Sequence, residues 1–293
     1  MKTHHCAPVF IAEASSNHGR DIGRAKAFVD AAAEAGCDAV KFQLFKIDRM
    51  FAPEILAQSP KHRARQEWEL PLSHLPRIAE HCSARKIQFS CTPFYREAVA
   101  ELAPFVDFYK VASYELLVTD LLKACAQTGK PVVLSTGMAT IDEILNATRI
   151  LREAGARDVT LLHCVSAYPT PASEANLSAI ETIRSTTGLP TGWSDHTRRP
   201  AVIERAVHHW GARVVEFHLD LDGKGVEYAA GHCWLPHEIA PVIARIRESL
   251  VADGGGFKGP QPSEISDREW RADPVDGMRP LKHVRESYRG EAA

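Results

Sequence analysis

Residues 131–164 read PVVLSTGMATIDEILNATRILREAGARDVTLLHC, and this stretch decides the fold. Pro131–Ser135 and Val159–Cys164 are short runs rich in β-branched and aliphatic residues, the composition of buried strands. Between them Asp142–Ala154 spaces its apolar residues at helical period, and Gly155 follows where a left-handed residue ends a helix. Strand-like runs recur at Pro8–Glu13, Asp38–Gln43, Ile87–Cys91, Asp107–Ala112, Leu189–Ser194 and Arg213–His218. Helical segments follow them, among them Asp21–Ala35, Leu72–Ala84 and Pro200–Trp210, with Gly36, Gly129 and Gly211 at the expected helix ends. Eight strand-then-helix units predict an α/β protein, a closed (β/α)8 TIM barrel. A doubly wound sheet shares the alternation, but it uses fewer units and a glycine-rich first turn, and neither a G-x-G-x-x-G after the first strand nor a P-loop occurs.

The 293 residues suit one such barrel, typically of about 250 residues. A net charge of −2 gives nucleic acid or an anionic membrane no electrostatic handle. The opening MKTHHCAP lacks an apolar core, and no run approaches a membrane span, so neither a signal peptide nor a transmembrane helix is expected. Seven cysteines, with Cys37, Cys91 and Cys164 in or beside apolar runs, read as reduced thiols of a cytoplasmic enzyme. Two segments break the repeat. Lys46–Leu70 is a polar insertion after the second strand, of the kind that closes over a barrel mouth. After Gly254-Gly255-Gly256 comes a polar tail, so the chain divides into a barrel over 1–253 and a tail over 254–293 that packs on the barrel or on a partner subunit.

Barrel enzymes carry their chemistry at the C-terminal ends of strands. Those positions here are Glu13, Asn17 and His18; Lys41 and Gln43; Thr92; Lys110, Ser113 and Glu115; Ser135 and Thr136; His163, Ser166 and Tyr168; Ser194, Asp195 and His196; Glu216 and His218. All eight ends are polar, which packing alone does not explain. Lys41 and Lys110, set among Thr92, Ser113, Ser135 and Ser166, form a cationic, hydroxyl-rich mouth suited to a phosphate or carboxylate. The alternative is that each lysine merely neutralises a neighbouring carboxylate. His196 and His218 end adjacent strands, where two imidazoles can share one divalent cation or serve as ordinary hydrogen-bonded residues. The His4, His5 and Cys6 cluster precedes the first strand and lies at the wrong end of a barrel for function; His232-Cys233 sits in the loop after strand 8, within reach of the site.

These segments resemble a known family. Ile11-Ala-Glu-Ala-Ser-Ser-Asn-His-Gly19, Asp38-Ala-Val-Lys-Phe-Gln43, Ser90-Cys-Thr-Pro-Phe94 and Tyr109-Lys-Val-Ala-Ser-Tyr-Glu115 are similar to segments of the N-acetylneuraminate (sialic acid) synthases. So are the LSTGMA of 134–139, the HCVSAYPTP of 163–171, Ser194-Asp-His-Thr197 and Val215-Glu-Phe-His218, in family order over about residues 8–250. The resemblance implies condensation of phosphoenolpyruvate with an N-acetylated sugar aldehyde and water, giving a nonulosonate 2-keto acid and phosphate for cell-surface polysaccharide. It also implies a homodimer and a divalent cation, Mn2+ or Mg2+, held by His196 and His218. By the same resemblance Glu13, Lys41 and Glu115 are catalytic, and Thr92, Lys110, Ser113, Ser135, Ser166 and Ser194 bind phosphoenolpyruvate. Asn17, Gln43, Phe94, Tyr168 and Glu227 are the expected sugar contacts.

Departures fall on the sugar side. The chain ends before the small antifreeze-like domain that follows the barrel in this family. Phe217 stands where lysine is usual, and Asp222–Pro236 replaces a G-P-D-H type loop, with Glu227 in the acidic role. The expectation is a site closed by Lys46–Leu70 and Gly223–Trp234, with an acceptor preference unlike that of the capped enzymes. The runner-up is another metal-dependent barrel aldolase or a deoxy-keto-acid synthase with a different aldehyde. A third reading is a barrel that binds sugar without catalysis.

Overall fold

A computed structural model describes residues 7–290, so the His4, His5 and Cys6 cluster lies outside the described residues. Eight parallel strands close into a barrel in sequence order: β1 (Val9–Ser15), β2 (Ala39–Leu44), β3 (Gln88–Pro93), β4 (Phe108–Val111), β5 (Val132–Ser135), β6 (Val159–His163), β7 (Thr191–Asp195) and β8 (Val214–His218). Eight longer helices alternate with them: α1 (Ile22–Glu34), α2 (Leu75–Arg85), α3 (Arg96–Leu102), α4 (Thr119–Gln127), α5 (Ile141–Glu153), α6 (Ala179–Thr187), α7 (Pro200–His208) and α8 (Pro236–Ala252). Each predicted strand is present, shifted by a residue or two at its ends.

The deciding unit β5–α5–β6 shows why. Thr140 accepts from the Glu143 amide while the Glu143 carboxylate accepts from the Thr140 amide, a capping box that fixes where α5 starts. The helix turns Ile144, Ala147, Ile150 and Leu151 toward the strands. It ends before Gly155, whose φ of +100° no side-chain-bearing residue adopts readily.

Strand alternation separates two environments. Residues facing the helices join the large core, led by Phe10, Phe28, Phe42, Phe89, Tyr109 and Trp193. Inside the barrel, Ile11, Ala39, Phe108, Val133, Leu162 and Val214 form a small apolar plug. Two residues further along the same strands stand Glu13, Lys41, Lys110, Ser135, Cys164 and Glu216, on the same inner face because the side-chain period is two. The apolar floor thus lies directly beneath a polar layer at the C-terminal end.

The Lys46–Leu70 insertion folds as short helices, Ile47–Met50, Pro53–Gln58 and Pro60–Ala64, followed by a 3-10 turn, Arg65–Trp68. The described cysteines are all free and buried. No described helix is long and apolar enough to cross a membrane. The first compact unit ends at Leu250 and a second begins at Val251. The second unit is organised around Asp273, whose carboxylate accepts from the amides of Val275 and Lys282 at 2.9 and 2.8 Å.

Candidate active site

A cavity of about 610 Å3 opens at the C-terminal end of the barrel. Its wall contains Glu13, Lys41, Gln43, Thr92, Phe94, Lys110, Ser113, Glu115, Ser135, Tyr168, Ser194, His196, His218 and Glu227 of the residues singled out from sequence. Asn17 and Ser166 are not on that wall. The Asn17 amide donates to the Leu219 carbonyl at 3.3 Å and so pins the loop after β8. Ser166 is half-buried, its hydroxyl oxygen buried without a partner behind Gly137.

Register brings the charged groups together. Glu13 pairs with Lys41 on one side and with His218 on the other, and Ser194 pairs with Glu216. Lys41 forms an ion pair with Glu13 and donates to Thr92 Oγ1 at 3.0 Å. Lys110 donates to Ser135 Oγ at 2.7 Å and stands 3.6 Å from Glu216 Oε1, which also accepts from Ser194 Oγ at 3.2 Å. Both lysines therefore have carboxylate neighbours, and both still face a ring of hydroxyls. The pairing of each lysine with a carboxylate, one of the two readings of these residues, is thus observed.

Burial sets the acidities. It pulls the Lys41 ammonium down to about 8, against the attraction of Glu216. It pushes the Glu115 carboxyl up to about 7, with Lys110 opposing, and leaves Glu115 Oε2 buried without a partner. Burial also opposes the charge on Glu216, yet Lys110 and then Lys41 hold that carboxylate below its ordinary range. Glu216 is one of the polar strand ends, and neither strand position nor the family resemblance assigns it a role. The signal was present, since in Glu216-Phe-His218 the outer two share a face.

One corner is built around Gly137. The Gly137 amide donates to Ser113 Oγ at 2.9 Å, and a Cβ built on Gly137 would meet Ser166 Oγ at 2.3 Å and Ser113 Oγ at 2.9 Å. Only glycine leaves that space, into which two hydroxyls and a backbone amide converge.

The opposite corner is imidazole-rich. His196 Nδ1 lies 2.7 Å from the Val165 carbonyl. A carbonyl only accepts, so Nδ1 carries the proton and Nε2 presents its lone pair, as metal-ligating histidines do. The rings of His196 and His218 lie 5.5 Å apart between centroids, and those of His218 and His232 lie 4.9 Å apart. His218 Nδ1 is 3.1 Å from Glu227 Oε2, while Ser15 Oγ donates to Glu227 Oε1. Although burial pushes the Glu227 carboxyl up, hydrogen bonds from His218 and His232 hold it well below the usual range. The donor chemistry fits a divalent cation: free imidazole nitrogens and an ionised carboxylate gathered at one buried corner.

The third wall comes from the insertion, through Ile47, Met50, Phe51, Arg65 and Trp68. His232 completes the wall from the loop after β8.

A family profile described as the NeuB family matches residues 28–258. The chain belongs to the NeuB family. It is 35% identical to the N,N'-diacetyllegionaminic acid synthase of Campylobacter jejuni over 87% of this chain and 80% of that one. It is 32% identical to the pseudaminic acid synthase of Helicobacter pylori, over 97% and 85% of the two chains. A crystal structure of the N-acetylneuraminic acid (sialic acid) synthetase of Leptospira borgpetersenii superposes with a TM-score of 0.78 at 32% identity, covering 90% of this chain and 91% of that one. This NeuB-family chain is accordingly a synthase-type enzyme, and the resemblance carried by LSTGMA and HCVSAYPTP holds.

Proposed function

We propose that this NeuB-family chain condenses phosphoenolpyruvate with the open-chain aldehyde of an N-acetylated amino sugar and water, giving a nonulosonate 2-keto acid and phosphate. The observation that carries the reading is the pair of buried lysines above an apolar floor, each within reach of hydroxyls and flanked by Glu13, Glu115 and Glu216. A dianionic phosphate with an adjacent carboxylate matches that arrangement, because charge-assisted contacts are strongest where water is excluded.

In this reading Lys110 and Ser135 hold one anionic group of phosphoenolpyruvate, and Ser113 with the Gly137 corner holds another. Thr92 and Ser194 complete the cradle, with Ser166 behind it against Gly137. C3 of phosphoenolpyruvate attacks the aldehyde carbon, forming the new C–C bond and leaving cationic character at C2. Lys41, drawn toward neutrality by burial and paired with Glu13, supplies a proton to the aldehyde oxygen. Glu115 takes a proton from the water that adds at C2, a task suited to a carboxyl that titrates near 7. The C2–O bond to phosphate then breaks, and phosphate leaves with the proton of the C2 hydroxyl as the C2 carbonyl forms. A divalent cation held by His196 and His218 would supply Lewis-acid polarisation of the aldehyde oxygen. Gln43, Phe94, Tyr168 and Glu227 face the acceptor, and Asn17 fixes the loop beside it.

The test is phosphate release from phosphoenolpyruvate across a panel of acetamido-sugar aldehydes and unsubstituted aldoses. Release that requires an acetamido sugar supports the proposal. Release with only unsubstituted aldoses would assign the chain to a different deoxy-keto-acid synthesis.

A further inference from the structure

Glu227 Oε1 is occupied by Ser15, which leaves Oε2 facing three further donors. Oε2 lies 3.1 Å from His218 Nδ1, 3.8 Å from His232 Nε2 and 3.9 Å from Cys233 Sγ. One ligand atom from each of the four residues lies within 4.8 Å of all the others. The two longer separations are poor hydrogen bonds. They are close to the edges of a coordination tetrahedron, since bonds of about 2.0–2.3 Å to nitrogen, oxygen and sulfur set donors roughly 3.3–3.8 Å apart. His232 is buried, and its Nδ1 has no partner. Cys233 is wholly buried, so its sulfur is withheld from bulk solvent.

We propose that His218, Glu227, His232 and Cys233 together hold the divalent cation of this chain, and that the set selects zinc, iron(II) or cobalt over magnesium. The proposal rests on the cation-assisted condensation above and changes its site: His218 is shared, and three donors from the loop after β8 join it. Two imidazoles and a thiolate are borderline-to-soft ligands, whereas magnesium prefers oxygen donors in an octahedron and keeps much of its water. Ligation replaces the Cys233 thiol proton with the cation and releases that proton to solvent. The Asp222–Pro236 segment supplies three of the four donors, so a bound cation would also tie that loop to β8 through His218.

The experiment is titration of the metal-stripped full chain with cobalt(II), read by its visible ligand-field bands and by near-ultraviolet sulfur-to-cobalt charge transfer. Magnesium then competes in large excess. Expected are one tightly bound cobalt per chain, a charge-transfer band lost in Cys233→Ser, and no displacement by magnesium. Glu227→Gln and His232→Asn should each weaken cobalt binding by more than the roughly tenfold that losing an outer-shell partner costs. Circular dichroism of the metal-free variants checks that each is folded. If only His196→Ala and His218→Ala weaken cobalt binding, or if magnesium displaces it, the four-donor site is wrong while the cation reading stands. Failure of the intact chain to bind cobalt would overturn both.

Discussion

Replacing Lys110 by Met isolates the anion-binding half of the site. The side chain is 2% exposed, donates to Ser135 at 2.7 Å and lies 3.6 Å from Glu216. Met keeps most of the volume and removes the charge. One charge-assisted contact in so dry a place is worth about 2–3 kcal/mol. At 1.4 kcal/mol per decade this is roughly 30- to 140-fold in kcat/KM for phosphoenolpyruvate. The same change strips Glu216 of its nearest cation and leaves a buried carboxylate less compensated, which costs on the order of 3 kcal/mol of stability. Combining it with Glu216→Gln separates the two effects, because the second change removes the orphaned charge without restoring the ammonium. The assay varies each substrate at saturation of the other. The expected result is a large loss confined to phosphoenolpyruvate, with the sugar KM little changed, and a double variant that regains melting temperature but not phosphoenolpyruvate affinity. Equal losses for both substrates would refute the assignment of Lys110 to the anion.

Other consequences follow from the same geometry. If Glu115 accepts the proton of the attacking water, it must be ionised, so activity should rise as pH passes through about 7, and Glu115→Gln should remove that limb; a variant with an unaltered profile would show that another group titrates. Gly137→Ala places a methyl 2.3 Å from Ser166 Oγ, so it should raise the KM for phosphoenolpyruvate and cost about 1–3 kcal/mol in thermal unfolding. Wild-type affinity and stability there would mean the corner is not an anion cradle. Chelation should abolish turnover and added divalent cation should restore it, whereas a His196→Ala, His218→Ala double variant should stay inactive. If the wall from Ile47 to Trp68 and the loop bearing Glu227 face the acceptor, as proposed, N-acetylmannosamine should be used less efficiently than a more heavily acetamido-substituted aldehyde; the ratio of their kcat/KM values decides.

The barrel could be read from the sequence because its signals are local and repeated. β5–α5–β6 contains strand composition, a capping box and a terminal glycine within 34 consecutive residues, and seven more units repeat the alternation. The polar layer was readable for the same reason: once Ile11, Ala39, Val133 and Val214 are placed inside, the period of two puts Glu13, Lys41, Ser135 and Glu216 above them. The sequence places Glu227 at the site and His232 within its reach, but their contacts lie where no period applies. The loop after β8 turns Glu227 and His232 back onto His218 through a bond from Ser15, a contact between residues 212 apart in sequence. Arg65 and Trp68 reach the cavity from a 3-10 turn after three short helices, so their direction depends on packing rather than on spacing. Asn17 and Ser166 show the converse, since each sits at a strand end yet takes its place behind the wall.

The central claim, that carbon–carbon bond formation at C3 is followed by loss of phosphate through cleavage at C2, is tested most directly by the fate of the bridging oxygen of phosphoenolpyruvate. With that oxygen labelled as 18O and an acetamido-sugar aldehyde present, mass spectrometry should find the label in the released phosphate, and the nine-carbon keto acid should carry an unlabelled C2 oxygen from water. Label retained in the keto acid, or phosphate released without a new carbon–carbon bond, would contradict the account.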